Sequence, residues 1–324
     1  MKKTFKIIIL LALLVFIGLF IKIQFDYKFD SDLDNESNES EIKKDSKEKE
    51  EKFNLCINDA LNPTLLGEHL TEIETELTNY LKKYDVYISY SELDDIYYYG
   101  YQDKQVIYGA SLIKLVDALY ILDNDININS TIKYTSKYYN KHNKGLTKHN
   151  VGDDITLDNI VKHALSVSDN GAHKMLIDYI GFDNLKNYGR SLGAEVILTG
   201  GDNFGMQTAS DTNIYLTRLY ELLKENSNSE QFREYMINDF HSYLNVNDLE
   251  VAHKYGYYDY IFHDIGIVFD EHPYAISVLT KYGNKDYAKV INEISLKVYE
   301  HHKNYWNEKN DYCMNLVYEK NSDK

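Results

Sequence analysis

Positive charge is scarce in this chain relative to negative charge. Its 324 residues include 35 lysines and arginines against 51 aspartates and glutamates, for a formal net charge of −16. Phosphate backbones are bound by basic surfaces, so this balance argues against nucleic-acid binding. The chain also lacks a glycine-rich loop of the kind that cradles phosphate, and it contains no internal repeat.

Cysteine is nearly absent, with only Cys56 and Cys313 near the two ends of the segment that we expect to fold. Two cysteines in an exported chain can form a disulfide or remain two buried thiols, and the sequence leaves both open.

The N-terminus has the pattern of an export signal. A basic segment, MKKTFK, precedes an unbroken apolar run over residues 7–21, and no small-x-small cleavage site follows. This favours an uncleaved signal anchor at residues 1–24 over a cleaved signal peptide, with the remaining chain outside the membrane. Residues 25–52 are densely charged and predict a solvated linker or a frayed helix. The folded domain is therefore expected at 53–324.

The order of periodic patterns predicts an α+β fold. Helical spacing at 65–83 precedes two alternating segments, DVYISYSE and DDIYYYGYQ. A mostly helical block follows from Ser111 to about Phe240, then three strand-like segments between 251 and 283, and a helix at about 286–305. The terminal segments can build one five-stranded antiparallel sheet, with the helical block as a second lobe.

One short stretch, YGASLIKLVDALYIL, raises the question of chemistry. Ser111 and Lys114 are three residues apart, so they share one face of a helix. A lysine can take the proton of a serine if desolvation or a nearby cation lowers its pKa. Taken alone, Lys114 is more simply an ordinary helical lysine.

Two later motifs change that interpretation. SVSDNGA contains Ser168-Asp169-Asn170, and AHKYGYYDY contains Lys254-Tyr255-Gly256. With Ser-x-x-Lys, in this order, they resemble the motif set of serine β-lactamases and penicillin-binding proteins. The blocks around them, between about residues 85 and 288, are similar to the class A β-lactamase-like family.

The resemblance implies a β-lactamase/transpeptidase-like fold and a role for each motif residue. Ser111 would be the acylated nucleophile, Lys114 its proton acceptor, and Ser168 the proton donor to the leaving nitrogen. The substrate would be bound and oriented by Asn170, Lys254, Tyr255, Gly256 and Tyr257, with Lys254 also lowering the pKa of Lys114. The backbone N–H groups of Ser111 and Tyr257 would form an oxyanion hole.

The chain departs from the class A pattern in two places. The stretch GAEVILTGGDNFGMQTASD lacks the Glu-x-x-x-Asn pattern of the deacylating loop, and Glu195 within it precedes an apolar segment as a strand-edge residue would. Asp202 is the nearest candidate for positioning water, although Gly-Gly-Asp-Asn is also ordinary turn chemistry. Tyr255 replaces the usual threonine or serine, which puts carboxylate recognition in question.

The remaining histidine patterns are weaker. HDIG at residues 263–266 resembles the His-Asp pair of metal phosphohydrolases, but it lies in a strand pattern without companion ligands, so we expect no metal and no cofactor. His253 is expected to line its strand, and His301-His302 to be solvated.

Together these observations predict a monomeric, membrane-anchored, extracytoplasmic bacterial serine hydrolase. It would act through an acyl-enzyme on a β-lactam or a D-alanyl amide of peptidoglycan, with slow deacylation. The alternative is a penicillin-binding or cell-wall-sensing protein that acylates or binds without turnover.

Overall fold

The computed structural model describes residues 36–58, 62–139, 145–195, 204–237, 242–259, 261–281 and 286–318. The chain divides into two compact units, Met1–Lys52 and Phe53–Lys324, and the second contains every strand found in these ranges. No helix in the described ranges is long and apolar enough to span a bilayer. The predicted anchor at residues 1–24 lies outside those ranges.

Nine strands and nine α-helices occur in the described ranges. The strands are β1 (Val86–Glu92), β2 (Tyr98–Tyr101), β3 (Ile107–Tyr108), β4 (Thr131–Lys133), β5 (Asp154–Thr156), β6 (Met206–Gln207), β7 (Glu250–Tyr258), β8 (Ile261–Phe269) and β9 (Tyr274–Thr280). The helices are α1 (Glu36–Asn58), α2 (Gly67–Leu81), α3 (Ile113–Asp123), α4 (Leu157–Ser166), α5 (Asn170–Ile180), α6 (Phe182–Ser191), α7 (Ala209–Glu225), α8 (Ser229–Ile237) and α9 (Tyr287–Tyr318).

Five strands form one antiparallel sheet in the order β2-β1-β9-β8-β7. The first two come from the N-terminal part of the domain and the other three from the C-terminal part, as the alternating patterns predict. Val86 pairs with Thr280, and Lys254 pairs with Ile265. The predicted α+β fold, with a five-stranded antiparallel sheet and a helical block, is confirmed.

The two faces of the sheet bury two separate cores. On one face, Ile88 and Ile276 pack with Val298 of α9. On the other, Ile265 and Leu279 pack in a core that includes Leu119 of α3. Each fully buried aliphatic side chain contributes about 1.5–3 kcal/mol, so both layers stabilise the sheet that carries β7.

Three helices of the helical block begin at polar caps. Asp169 accepts a hydrogen bond from Ala172 N at 3.0 Å at the start of α5, and Thr208 accepts one from Asp211 N at 3.0 Å at the start of α7. Thr156 does the same for α4 through Asn159 N. Such caps satisfy backbone donors that have no partner inside the helix, which explains where these helices start.

The last helix packs against the sheet and is linked covalently to α1. Cys56 and Cys313 form a disulfide with a Cα–Cα distance of 5.7 Å, so the alternative of two separate thiols does not hold. The expectation that His301 and His302 are solvated is wrong, because both are at most 3% exposed. Helix α9 extends to Tyr318, and its apolar period places these histidines on the buried face.

Candidate active site

Ser111 lies in a tight turn that leads into α3. The turn covers Ala110–Leu112 with 3-10 geometry, and α3 continues from Ile113. Ala110 has φ of 48°, a left-handed conformation that is uncommon for a residue with a side chain. Strained backbone of this kind recurs where a side chain must be presented at a site, and here it precedes Ser111 directly.

Lys114 is the centre of the site. Its side chain is fully buried, and Nζ lies 3.0 Å from Ser111 Oγ. The same nitrogen donates to the backbone oxygen of Ser168 at 2.7 Å and to Ser168 Oγ at 3.1 Å. It also donates to Asn170 Oδ1 at 2.7 Å. Lys114 and three other predicted site residues are thus brought together around one lysine nitrogen.

The middle residue of the Ser-Asp-Asn motif has a structural role. Asp169 is fully buried, and its Oδ2 accepts hydrogen bonds from Gly145 N at 2.9 Å and Leu146 N at 3.0 Å. Its other oxygen caps α5. Ser168 has φ of 54°, so the loop needs such external ties to hold its hydroxyl toward Lys114.

Strand β7 packs directly against the turn of Ser111. A Cβ added at Gly256 would lie 2.8 Å from the backbone oxygen of Gly109, closer than side-chain carbons approach. Only glycine permits this approach, which places Tyr257 beside Ser111 at the cavity wall.

Lys254 and Tyr255 lie one step back along the same strand. Lys254 is fully buried, and its Nζ donates to Tyr255 O at 3.1 Å and lies 4.1 Å from the Tyr255 ring centroid. The Tyr255 ring is itself buried, stacks on Phe262, and lies outside the described lining of the cavity that contains Ser111. The large ring therefore covers the lysine where the related motif has a small hydroxyl.

His263, the histidine of the HDIG pattern, is hydrogen-bonded to the backbone just before the turn of Ser111. It is fully buried on β8, and its Nδ1 accepts a hydrogen bond from Thr280 N at 3.1 Å. Its Nε2 therefore carries the proton and donates to Tyr108 O at 2.9 Å. Burial lowers the pKa of His263 from 6.5 to about 4, which keeps the ring neutral.

A cavity of about 240 Å³ opens at Ser111. Its described lining is mainly aromatic and contains no carboxylate: Tyr108, Ala110, Ser111, Asn170, Phe204, Tyr257 and Tyr258. Glu195 is elsewhere, 68% exposed and 3.3 Å from Lys104. Asp202 lies outside the described residues.

Three aromatic residues of the lining were not predicted as site residues. Tyr108 and Tyr258 face each other with ring centroids 5.3 Å apart, and Phe204 lies 5.7 Å from Lys114 Nζ. Their nearness to the motifs in the sequence was a usable signal for Tyr108 and Tyr258. Phe204 follows the sequence Gly-Gly-Asp-Asn and is brought to the site only by tertiary packing.

The described part of the chain contains no group of three or more His, Cys, Asp or Glu side chains placed to bind a metal. The histidine of β7, His253, is buried and contacts Asp264 Oδ1 at 2.9 Å through Nδ1. Asp264 also accepts hydrogen bonds from Tyr243 N and Leu244 N, so this pair joins β7 and β8 to the segment before them.

Residues 72–302 match the sequence model of the beta-lactamase enzyme family. No curated protein sequence matches the chain. Among solved structures, TLA-1 extended-spectrum beta-lactamase is similar at 21% identity and a TM-score of 0.63, over 72% of this chain and 98% of that one.

Two further structures show the same fold. A class A beta-lactamase from Bacteroides cellulosilyticus DSM 14838 is 20% identical, with a TM-score of 0.62 over 72% of this chain and 98% of that one. A mutant of PBP-A, solved as an acyl-enzyme complex with penicillin G, is 16% identical, with a TM-score of 0.62 over 72% of this chain and 97% of that one.

Proposed function

The chain belongs to the beta-lactamase enzyme family, and we propose that it is a serine hydrolase that forms an acyl-enzyme at Ser111. Its substrate would be a β-lactam or a D-alanyl amide of peptidoglycan. The observation that carries this proposal is the position of Lys114 Nζ, within hydrogen-bond distance of both Ser111 Oγ and Ser168 Oγ. One lysine can therefore serve both the attacking and the protonating serine.

Acylation follows from these two contacts. The neutral amine of Lys114 accepts the Ser111 proton while Oγ forms a bond to the carbonyl carbon, and the carbonyl electrons move onto oxygen. When the tetrahedral adduct collapses, the C–N bond breaks and the leaving nitrogen takes a proton from Ser168 Oγ. Lys114 then returns its proton to Ser168. The serine proton ends on the leaving nitrogen, and Lys114 is neutral again.

The remaining predicted roles fit the cavity wall. Ser111 and Tyr257 both line it, so their backbone N–H groups are available to a developing oxyanion between the turn and β7. Asn170 lines it too and is held by Lys114 through Oδ1, which leaves its amide nitrogen as the donor toward a substrate carbonyl. Lys254 would act from behind, through its charge, since the Tyr255 ring lies against it.

Deacylation is proposed to be slow. The sequence between Gly193 and Asp211 lacks the Glu-x-x-x-Asn pattern, and Glu195 is an exposed partner of Lys104. An ester at Ser111 would then lack a strong general base for water. Asp202 is the residue to test for any remaining hydrolysis.

We also propose that the domain lies outside the cytoplasmic membrane of a bacterium, held by residues 1–24. The apolar run and the basic residues before it support this, and so does the Cys56–Cys313 disulfide, because structural disulfides persist in oxidising compartments. Protease added to intact spheroplasts should digest the domain. Without protease, the full-length chain should stay in the membrane fraction and be absent from the soluble fraction. Protection of the domain until the membrane is lysed would contradict this placement.

A non-catalytic sensor is the second candidate. The missing base that slows deacylation also favours a sensor, because a long-lived acyl group at Ser111 suits a protein that reports binding better than an enzyme that must turn over. Product formation separates the two, since a sensor releases at most one equivalent of product per chain.

The decisive experiment is covalent labelling of the full chain with a fluorescent penicillin. We expect a mass increase of one penicillin on Ser111, none in Ser111→Ala, and acylation at least about a hundredfold slower in Ser168→Ala. Ser166→Ala is the matched control, because the Ser166 hydroxyl is bonded to Lys162 O at 2.6 Å and takes no part in the site.

The lifetime of the adduct then decides the deacylation step. We expect a half-life of many minutes in the wild type. Loss of the label within seconds would overturn slow deacylation, and a slower loss in Asp202→Ala would identify the base. Absence of any adduct at saturating penicillin, with the chain folded, would remove the β-lactam part of the proposal.

A further inference from the structure

A buried carboxylate–imidazole pair lies one helical turn beneath Lys114. Asp117 Oδ2 and His173 Nδ1 are 2.5 Å apart, and the two side chains are 0% and 2% exposed. Asp117 follows Lys114 by three residues on α3, and His173 follows Asn170 by three residues on α5. The two helices that supply the site are therefore joined by two successive contacts, Lys114–Asn170 at 2.7 Å and Asp117–His173.

The carboxylate is committed to this contact. Asp117 Oδ1 is buried and accepts no hydrogen bond from the described residues. The contact between Asp117 Oδ2 and His173 therefore has to offset much of the cost of burying the carboxylate. Because an ionised carboxylate only accepts hydrogen bonds, Nδ1 of His173 is the donor in this contact, which fixes the plane of the imidazole ring.

A ring contact links His173 to the wall of the cavity. The His173 ring lies 4.9 Å from the ring of Phe204, and Lys114 Nζ lies 5.7 Å from the centroid of the same phenyl ring. Phe204 lines the cavity together with Ser111. The pair thus reaches Lys114 by two routes, through the separation of α3 and α5 and through the Phe204 ring that faces Nζ.

We propose that Asp117 and His173 are a positioning pair that holds Lys114 within reach of Ser111 and Ser168. The inference rests on the proposed function, in which Lys114 moves the proton. Neither residue touches substrate. They set the distance between Lys114 on α3 and Ser168 in the loop before α5. A displacement of about 1 Å at such a contact can slow a reaction about a hundredfold.

The test compares His173→Leu with a matched control, His302→Leu. His302 also pairs with a buried carboxylate, Glu92 Oε1 at 2.8 Å, but on the face of the sheet that packs against α9. Both variants remove an imidazole from a buried carboxylate, and Glu92 keeps its hydrogen bond from Tyr90 OH, so the free energy of unfolding of each variant is measured beside its rate. We expect only His173→Leu to lower the acylation rate constant, by at least about tenfold, with non-covalent penicillin affinity unchanged.

Two further variants separate positioning from loss of folding. His173→Asn places an amide nitrogen the same number of bonds from Cα as Nδ1, and it should recover most of the rate. The double variant Asp117→Leu/His173→Leu removes the buried charge as well, so it should fold while acylating as slowly as His173→Leu. Wild-type rates in the double variant, or equal slowing in His302→Leu, would overturn the proposal.

A spectroscopic measurement keeps the positioning role separate from the proposed activity. In protein labelled with ¹³C-lysine, with the Lys114 signal assigned by Lys114→Met, His173→Leu should shift that signal and His302→Leu should not. If the wild type forms no adduct with any penicillin, the β-lactam part of the proposed function fails while this shift still supports positioning. An unchanged Lys114 signal in His173→Leu would refute the positioning pair, whatever the activity.

Discussion

Protonation of the buried His263 ring should disturb the turn that carries Ser111. As a neutral ring it accepts from Thr280 N and donates to Tyr108 O. Protonation would turn the accepting nitrogen into a donor that faces another donor. Burial holds the pKa of His263 at about 4 in the folded protein, against 6.5 for an unperturbed histidine.

The sign and size of the effect follow from linkage. The unfolded chain binds this proton near pH 6.5 and the folded chain only near pH 4, so the stabilisation is complete above 6.5 and is lost as the pH falls toward 4. One pKa unit corresponds to about 1.4 kcal/mol, so His263 alone should cost about 3 kcal/mol between about pH 7 and pH 4. That is a large share of a typical stability of about 5–15 kcal/mol.

The perturbation is His263→Gln, which keeps a donor and an acceptor but does not titrate. Urea unfolding followed by circular dichroism at about pH 7, 6, 5 and 4 gives the free energy of unfolding of both proteins. The wild-type advantage should shrink by about 3 kcal/mol across this range. His301, whose pKa burial also lowers to about 4, acts equally in both proteins and cancels. Parallel curves for wild type and variant would refute the assignment.

His301 also provides the functional control. It belongs to α9, on the far side of the sheet from Ser111, and its Nε2 lies 2.8 Å from Tyr97 OH. We expect His263→Leu to slow acylation about ten- to a hundredfold, because Tyr108 O loses its donor three residues before Ser111. His301→Leu should leave the acylation rate unchanged at about pH 7, and equal slowing in both variants would show that only general stability is involved.

Two other predictions concern the cavity wall. Gly256→Ala would place a methyl group 2.8 Å from Gly109 O, so it should cost about 1–3 kcal/mol in urea unfolding and slow acylation. Gly266→Ala meets Ala252 O at the same 2.8 Å but away from Ser111, so it should cost similar stability with acylation intact. Tyr258, 61% exposed at the cavity, should stack on an aromatic acyl side chain. Tyr258→Ala should weaken benzylpenicillin binding about two- to tenfold and leave 6-aminopenicillanic acid unaffected, and equal losses for both ligands would refute the stacking.

The sheet and the terminal helices were predictable because their signals are local and repeated. The alternating segments at 85–102 and the strand-like segments at 251–283 predict five strands, and one antiparallel sheet between two layers buries both faces of β1, β8 and β9. The error at His301 and His302 was avoidable from helical spacing. Ile291, Ile294 and Val298 precede them at that spacing, which already indicates that α9 continues with its buried face through the histidines.

The site was predictable only as a set of motifs and not as a geometry. Spacing places Ser111 and Lys114 on one helix face, but it does not bring Ser168 to the same nitrogen. That requires Asp169 to tie its loop to Gly145 and Leu146, a contact across 24 and 23 residues that no local pattern encodes. Long-range contacts of this kind depend on the whole packing arrangement, so sequence periodicity carries no information about them.

The sequence does not show that Asp117 and His173 are partners, for the same reason. His173 stands on the apolar face of α5 beside Ala172, Leu176 and Ile177, where a polar residue signals a buried partner. Periodicity identifies that a partner is needed, but only the crossing of α3 and α5 identifies it as Asp117. Residues that bond substrate are constrained by chemistry and recur as motifs, whereas residues that position them are constrained by packing. The second kind must be found in the structure, and their variants should alter rates without altering binding.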